Sequence, residues 1–557
     1  MRWTVAENVN EIKYAARKKW VGEILCLTYE TYLLGTDYKL NVIYVRDELG
    51  IDDIILRSLN EINSDPTFIN SNILIEAHRF FLMRLLYHLD VAEQVSKKLS
   101  SLKDMSKYTL LLDKHSIDGL YRTFNINNFN KVNSSNALKR SLLKRSTQRN
   151  KNKYFLISTL MIFFGFFKLS LILLYEMLTI RSFRVKKKYK HIIFGWGRDL
   201  SRFYNSDSEL INNSKLKDSI NVITRPKKLK KQEFFGDKAI IKETFFNGES
   251  YGISFGYLGP LKRFNIFFRY VVESKELIKF SIKKKSQRLD IFLYFIYYHK
   301  QLVTEIEIFK KLISEKTESI IISDSQLPSV RYSFLNSSEK KLKIYSTVHG
   351  STFYDYFGNW YLSKNRISTD ICFMNKNTSN DTFIKQKNKI ENYVDNSNCI
   401  MIATRSNEYA WFYPTFNQVS FYNSCEEIIK LLPNCKFIIK SHPSSDAYYL
   451  YNRLAENNKN VEHNNKKFDQ SNYKSITAVL SIGDPPSLFY EAILQRIPVF
   501  FLDTAQNHYQ KKYSFGFENN FLEKNIKTLV SELKVICLSN KSRDDIANKQ
   551  FNRCQNL

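Results

Sequence analysis

Three short clusters carry groups able to handle protons and phosphate: His349-Gly350-Ser351-Thr352, Lys440-Ser441-His442-Pro443 and Gly483-Asp484-Pro485-Pro486-Ser487. A neutral imidazole near pH 7 can take the proton of a hydroxyl. A lysine, a second histidine and a serine at a helix start can hold an anion, because free N–H groups and a positive dipole end point outward there. Together they describe transfer to a hydroxyl from a phosphate leaving group. Each residue also has a plainer reading: His349 as a structural histidine, Lys440 as a side chain in solvent, and Glu491, one helical turn after Ser487, as a helix-surface charge.

The elements around these clusters are short apolar runs alternating with helical patterns. Phe437 to Ile439 is a strand that ends where Pro443 turns the chain into a loop, which puts His442 at a strand's carboxyl edge. Ala478 to Ile482 is a second buried strand and Pro498 to Leu502 a third. Ser487 suits an N-cap, ahead of a helix over Leu488 to Gln495. Cys399 to Ala403 opens this unit, with Thr404-Arg405 at its tip. Alternation of this kind predicts a parallel sheet with ligands beyond the carboxyl ends of its strands, so that His442, Asp484 and Ser487 share one rim. Further upstream, His191 to Phe194, Ser319 to Ile322 and Leu342 to Val348 predict a similar layer. His349 follows its last strand, and Asp324, just past Ile322, is an alternative base. The Gly195-x-Gly197 pair lacks the remainder of a dinucleotide fingerprint.

A chain of 557 residues, 43% hydrophobic and 15% aromatic, builds more than one core and is not disordered. Its formal net charge of +29 suits nucleic acid, an anionic membrane or anionic substrates, or reflects a general preference for lysine. Seven scattered cysteines without a Cys-x-x-Cys pair read as reduced thiols, neither a disulfide framework nor a zinc site. Met1 to Asn8 has no apolar signal core, so nothing here directs secretion.

Residues 1–130 read as mixed, with an amphipathic helix over Ile73 to Leu89, a short strand at Tyr108 to Leu112, and no assignable chemistry. From 131 to 190 an apolar run, Tyr154 to Ile180, lies between basic flanks that include Lys139, Arg140, Lys144 and Arg145 before it and Arg181, Arg184 and Lys186 after it. Its length could cross a bilayer. Lys168, Glu176 and the two basic flanks favour a helix or hairpin lying in the cytoplasmic leaflet; a buried core helix or an oligomer interface is the other reading. Residues 200 to 300 mix lysines with aromatics, a pattern that binds single-stranded nucleic acid. No binding module frames them, and a lysine-rich surface over an aromatic core is preferred, so no nucleic-acid partner is expected. A polar stretch over 376–397 reads as a linker.

The three clusters in this order resemble GT-B glycosyltransferases of bacterial surface-polymer synthesis, above all the CDP-glycerol glycerophosphotransferases of teichoic acid synthesis, with the capsule sialyl- and Kdo-transferases and surface carbohydrate biosynthesis proteins beside them. His349-Gly350-Ser351 matches that family's His-Gly-Thr, His442-Pro443 its His-Pro, and Asp484 to Glu491 its Asp-aromatic-Ser-Ser-aliphatic-Phe-Phe-Asp. Pro485 replaces the aromatic and Pro486 the first serine, a departure that alters the donor grip. The likeness covers about the last 220 residues.

The resemblance implies an α/β chain of GT-B class, two Rossmann-like domains facing a cleft, preceded by an N-terminal region (1–130) and a membrane-associated insertion (131–190). The acceptor domain would be 191–375 and the nucleotide-donor domain 398–557. It implies His349 as base, donor contacts from His442, Ser487, Asp484, Lys440 and Arg405, and Glu491 on a ribose hydroxyl. The donor would be a nucleotide-activated sugar or polyol, the acceptor a lipid-linked or growing glycan such as O-antigen or capsule. The place would be the cytoplasmic face of the inner membrane. No Asp-x-Asp occurs, so no metal or other cofactor is expected. The alternative is a non-catalytic, membrane-associated scaffold of a polysaccharide assembly complex.

Overall fold

The computed structural model describes residues 1–64, 73–111, 134–146, 189–195, 219–223, 249–252, 313–322, 343–346, 370–371, 398–404, 417–442, 447–465, 470–483, 486–502, 522–523 and 525–555. It also describes separate positions between 167 and 174 and between 261 and 273, and residues 303, 307 and 411. The strands fall into three parallel sheets.

The first sheet was not foreseen. Strands β1 (Trp3–Ala6), β2 (Glu23–Cys26) and β3 (Val42–Tyr44) lie side by side in that order, joined by helices α1 (Val9–Arg17) and α2 (Tyr29–Asp37). Beyond them come α3 (Val45–Leu49), α4 (Ile51–Asn63), the long α5 (Ile73–Leu102) and α6 (Ser134–Ser146). Asn8 starts α1 with a capping box: its Oδ1 accepts from the N–H of Glu11 at 3.1 Å, and Glu11 Oε2 accepts from the N–H of Asn8 at 3.3 Å. The other Glu11 oxygen pairs with Lys139, and both side chains are buried. Lys139 belongs to α6, so this ion pair ties that helix to α1. The same helix leans on α5 through Arg145 and Ser141, which bond Glu93 at 2.7 and 2.9 Å. The expected strand at Tyr108 is reduced to one parallel bridge with Trp3, where Thr109 N–H donates to Trp3 C=O at 2.9 Å.

The second and third sheets share one strand order. In the second, β4 (His191–Gly195), β5 (Ser219–Ile223), β6 (Glu249–Gly252), β7 (Ser319–Ile322), β8 (Lys343–Ser346) and β9 (Asp370–Ile371) lie in the order β6-β5-β4-β7-β8-β9. In the third, β10 (Cys399–Ala403), β11 (Lys436–Lys440), β12 (Val461–Asn464), β13 (Ala478–Ile482), β14 (Val499–Leu502) and β15 (Leu522–Glu523) run β12-β11-β10-β13-β14-β15. Each sheet therefore grows outward from its first strand in one direction and then in the other. That is the doubly wound order 3-2-1-4-5-6, with a switch point beside the first strand.

The core of the third sheet explains its helices. Helix α7 (Gln418–Leu431) buries Phe421, Tyr422, Cys425, Ile428 and Ile429, a single face at helical spacing. They pack on Ile400, Ile402, Phe437, Ile439 and Leu480 with Leu450 and Leu454 of α8 (Tyr448–Asn457), and with Leu529 and Leu533 of α10 (Ile526–Leu538). Two further helices are α9 (Ser487–Leu494) and α11 (Asn540–Gln555). The Gln550 side chain of α11 accepts from the N–H of Val499 and donates to its C=O, both at 2.8 Å, taking the place of a neighbouring strand at the start of β14.

Cys26, Cys399, Cys425, Cys435 and Cys537 are thiols, and Cys435 Sγ lies 3.5 Å from Cys537 Sγ. Among the described residues no helix is long and apolar enough to cross a membrane. Most of Tyr154 to Ile180, and all of the 376–397 stretch, lie outside the described residues.

Candidate functional site

The central strands of the third sheet end level with one another. Ala403 lies beside Lys440 on one side and Ser481 on the other, and Ile482 lies beside Leu502. The residues that follow these ends, Thr404, Ser441-His442 and Gly483, therefore form one edge at the switch point between β10 and β13. Thr404 joins two of the ends. Its N–H and Oγ1 both donate to Lys440 C=O at 3.1 Å, and its Oγ1 accepts from His442 N–H at 3.2 Å. Gly483 turns the chain away from β13 at φ +85°, a conformation that a Cβ disfavours, while its N–H donates to Leu502 C=O at 2.9 Å.

Lys440 is buried, and its ammonium donates to Ser441 C=O at 2.7 Å. Burial holds its pKa below the ordinary lysine range. Among the described residues no carboxylate pairs with it. A buried cation at the carboxyl edge of a parallel sheet is an electrostatic demand for an anion. His463 of β12 feels the same charge: burial first, and Lys440 second, lower its pKa. Its ring lies between Tyr448 and Tyr451, with centroids at 5.7 and 5.5 Å, and Nδ1 is 2.6 Å from Asn452 Oδ1. No sequence motif pointed to His463 or to the linking role of Thr404.

Helix α9 starts at Ser487 itself, one residue earlier than expected. Pro486 holds the position before the first helical residue, and its C=O accepts from Phe489 N–H at 3.0 Å. The N-cap assignment of Ser487 gives way to a first-turn position, because proline's fixed φ already suits entry into a helix. Ser487 and Glu491 are thus placed on the first and second turns of α9 by their backbone. His442, half-buried, follows β11, and Lys440 ends it. Arg405, Asp484, Asp324 and His349 lie outside the described residues; Thr404 and Gly483 precede the first two directly, Ile322 of β7 lies two residues before Asp324, and Ser346 of β8 three before His349.

The N-terminal layer meets this same edge, since α7 and α8 follow β10 and β11. Gln418, the first residue of α7, is buried, and its Oε1 accepts from the N–H groups of Tyr29 and Glu30 at 2.8 and 3.4 Å. Glu30 Oε1 in turn accepts from Tyr449 N–H in the first turn of α8 at 2.9 Å. Each module thus supplies a side-chain acceptor to a helix start of the other. Asp37 pairs with Tyr449 and Arg453, and Tyr29 meets Tyr422 edge-on at 5.8 Å.

No family model matches the chain, and no curated protein matches it. Among solved structures it is similar to TarM, at 15% identity and a TM-score of 0.31 over 46% of this chain and 54% of that one. It is also similar to a single-residue mutant of S. aureus TarM in complex with Fondaparinux, alpha-GlcNAc-glycerol and UDP, at 16% identity and a TM-score of 0.30 over 45% and 55% of the two chains. A candidate UDP-N-acetylglucosamine 2-epimerase from Listeria monocytogenes aligns at 11% identity and a TM-score of 0.34 over 65% of this chain and 91% of that one. The match to either TarM structure spans little more than half of that chain's length. The doubly wound class of the two larger sheets stands on their own strand order and register, not on these likenesses.

Proposed function

We propose that the chain is a GT-B-type transferase that moves a sugar or polyol phosphate from a nucleotide-activated donor to a lipid-linked surface glycan at the cytoplasmic face of a bacterial inner membrane. The observation that carries this reading is the buried Lys440, without a carboxylate partner among the described residues, beside His442 at the level carboxyl edge of the third sheet, with a helix starting at Ser487. An anionic leaving group answers both the buried charge and the N–H groups that open α9. In this mechanism the acceptor hydroxyl oxygen attacks the donor's transferred centre, and the bond to the leaving phosphate breaks. His349 accepts the hydroxyl proton, with Asp324 as the alternative base. Lys440, His442, Ser487, Asp484 and Arg405 hold the departing phosphate as its charge grows, Glu491 holds the ribose, and no metal takes part.

A thermal-shift screen against CMP, CDP, UDP, GDP and their sugar or glycerol conjugates tests it. A bound ligand stabilises the folded chain by about 2.7 kcal/mol at a hundredfold excess over its Kd. The expected result is one nucleotide class that raises the midpoint in the native chain and not in His442→Ala. The scaffold reading is favoured by Pro486, which occupies the helix-start position without a side-chain acceptor. Absence of a shift with every nucleotide decides for it.

A further inference from the structure

The crossover between β6 and β7 carries a helical stretch that is apolar on two opposite faces. Ile266 and Tyr270 are fully buried, while Leu261, Phe264, Phe268 and Val272 are 84%, 60%, 64% and 53% exposed. At about 100° per residue the four exposed side chains fall in an arc of about 80°, and the two buried ones lie opposite. An ordinary surface helix has one apolar face; a second one needs its own apolar environment. The same pattern recurs earlier, where Phe167, Leu171 and Leu174 are helical, exposed and spaced four and three residues apart on one face.

We infer that the Leu261–Phe264–Phe268–Val272 face is a docking surface for an anionic lipid bilayer, with the Phe167–Leu171–Leu174 face as a second contact of the same kind. Charge selects this occupant. Lys262 is exposed on the flank of the stripe, and the neighbouring sequence is rich in cations, with Arg225, Lys227, Lys228, Lys230 and Lys231 before it and Lys283, Lys284 and Lys285 after it. Apolar side chains that enter the acyl boundary beneath a basic surface bind anionic leaflets. A second copy of the chain is disfavoured as occupant because each copy brings a formal charge of +29. The surface is independent of the transfer reading and brings the second sheet to the leaflet.

The test is flotation of the full chain with phosphatidylcholine vesicles, with and without phosphatidylglycerol, at low and high salt. The expected result is strong binding only with phosphatidylglycerol, weakened by salt. Phe264→Ser/Phe268→Ser should lower the bound fraction about tenfold or more through lost apolar burial. Phe264→Leu/Phe268→Leu should keep it, which separates the surface from a folding defect. A native chain that stays in the buffer layer, or a serine variant that floats as well as the native chain, overturns the inference. So does light scattering that finds a dimer broken by the serine pair without any vesicle binding. The nucleotide thermal shift, read on the same preparations, reports separately on the donor site.

Discussion

At the scale of single residues, Lys440 carries a buried charge that costs stability. Its folded pKa lies below that of the unfolded lysine, so between the two values the unfolded chain binds the extra proton, and stability rises with pH across that window. Below the window the folded chain carries a desolvated ammonium. Lys440→Met removes that cost, and the expected outcome is an unchanged or raised melting midpoint, a flatter alkaline pH dependence of stability, and loss of the nucleotide-induced shift. A variant that melts lower and still responds to nucleotide would show that the lysine serves packing alone. The thiols give a second measurement. Burial pushes Cys26 up to about 12 and Cys399 up to about 11, whereas the contact with Cys537 lowers Cys435. The same contact, with burial, raises the Cys537 thiol, so iodoacetamide near neutral pH should label Cys435 before Cys26, Cys399 or Cys537, as peptide mapping would read.

At the scale of elements, the four central strands of the third sheet were legible because each is a compact apolar run, Cys399–Ala403 and Ala478–Ile482 being buried along their whole length, whereas the edge strands β12, with its polar Glu462-His463-Asn464, and β15, two residues long, were not. Helices α7, α9 and α10 were legible from one-sided spacing, whereas α8 was not. Helix α11 was missed too, because its apolar anchors Ile546, Ala547 and Phe551 are few among many polar residues, and part of its grip on β14 comes from one glutamine amide. The first sheet was missed because strands of three or four residues, separated by nine-residue helices, leave too little periodicity to detect. At the site, the strand-end positions of Lys440 and His442 could be read from the proline that follows them. The Thr404 link could not, since it joins positions 38 residues apart. The turn after β13 gives the prediction proper to this scale. Gly483→Ala forces a Cβ into the φ +85° conformation at a cost of about 1–2 kcal/mol. A lowered melting midpoint should accompany a weaker nucleotide response, because the turn sets where α9 begins.

At the scale of the whole molecule, the reciprocal helix caps make residues 1–64 part of the structure around the carboxyl edge of the third sheet. Tyr29 and Leu33 pack against the core of the third sheet, and Tyr449 packs against the core of the first. Nothing in the sequence announces this, because the paired residues are about 390 to 420 positions apart and their types are ordinary for a helix surface. The energetics are nonetheless specific. Gln418→Ala leaves the Tyr29 and Glu30 N–H groups without their acceptor at a buried contact, a cost of about 1–3 kcal/mol. If the two modules unfold as one unit, that cost is felt on both sides of the contact. Hydrogen exchange should then quicken together in β1 to β3, in α2 and in the first turns of α7 and α8, and Glu30→Ala should reproduce the pattern from the opposite side. Exchange that quickens in α2 alone would mean that the N-terminal layer opens independently. The edge holding Thr404, Lys440 and His442 would then keep its geometry without that layer.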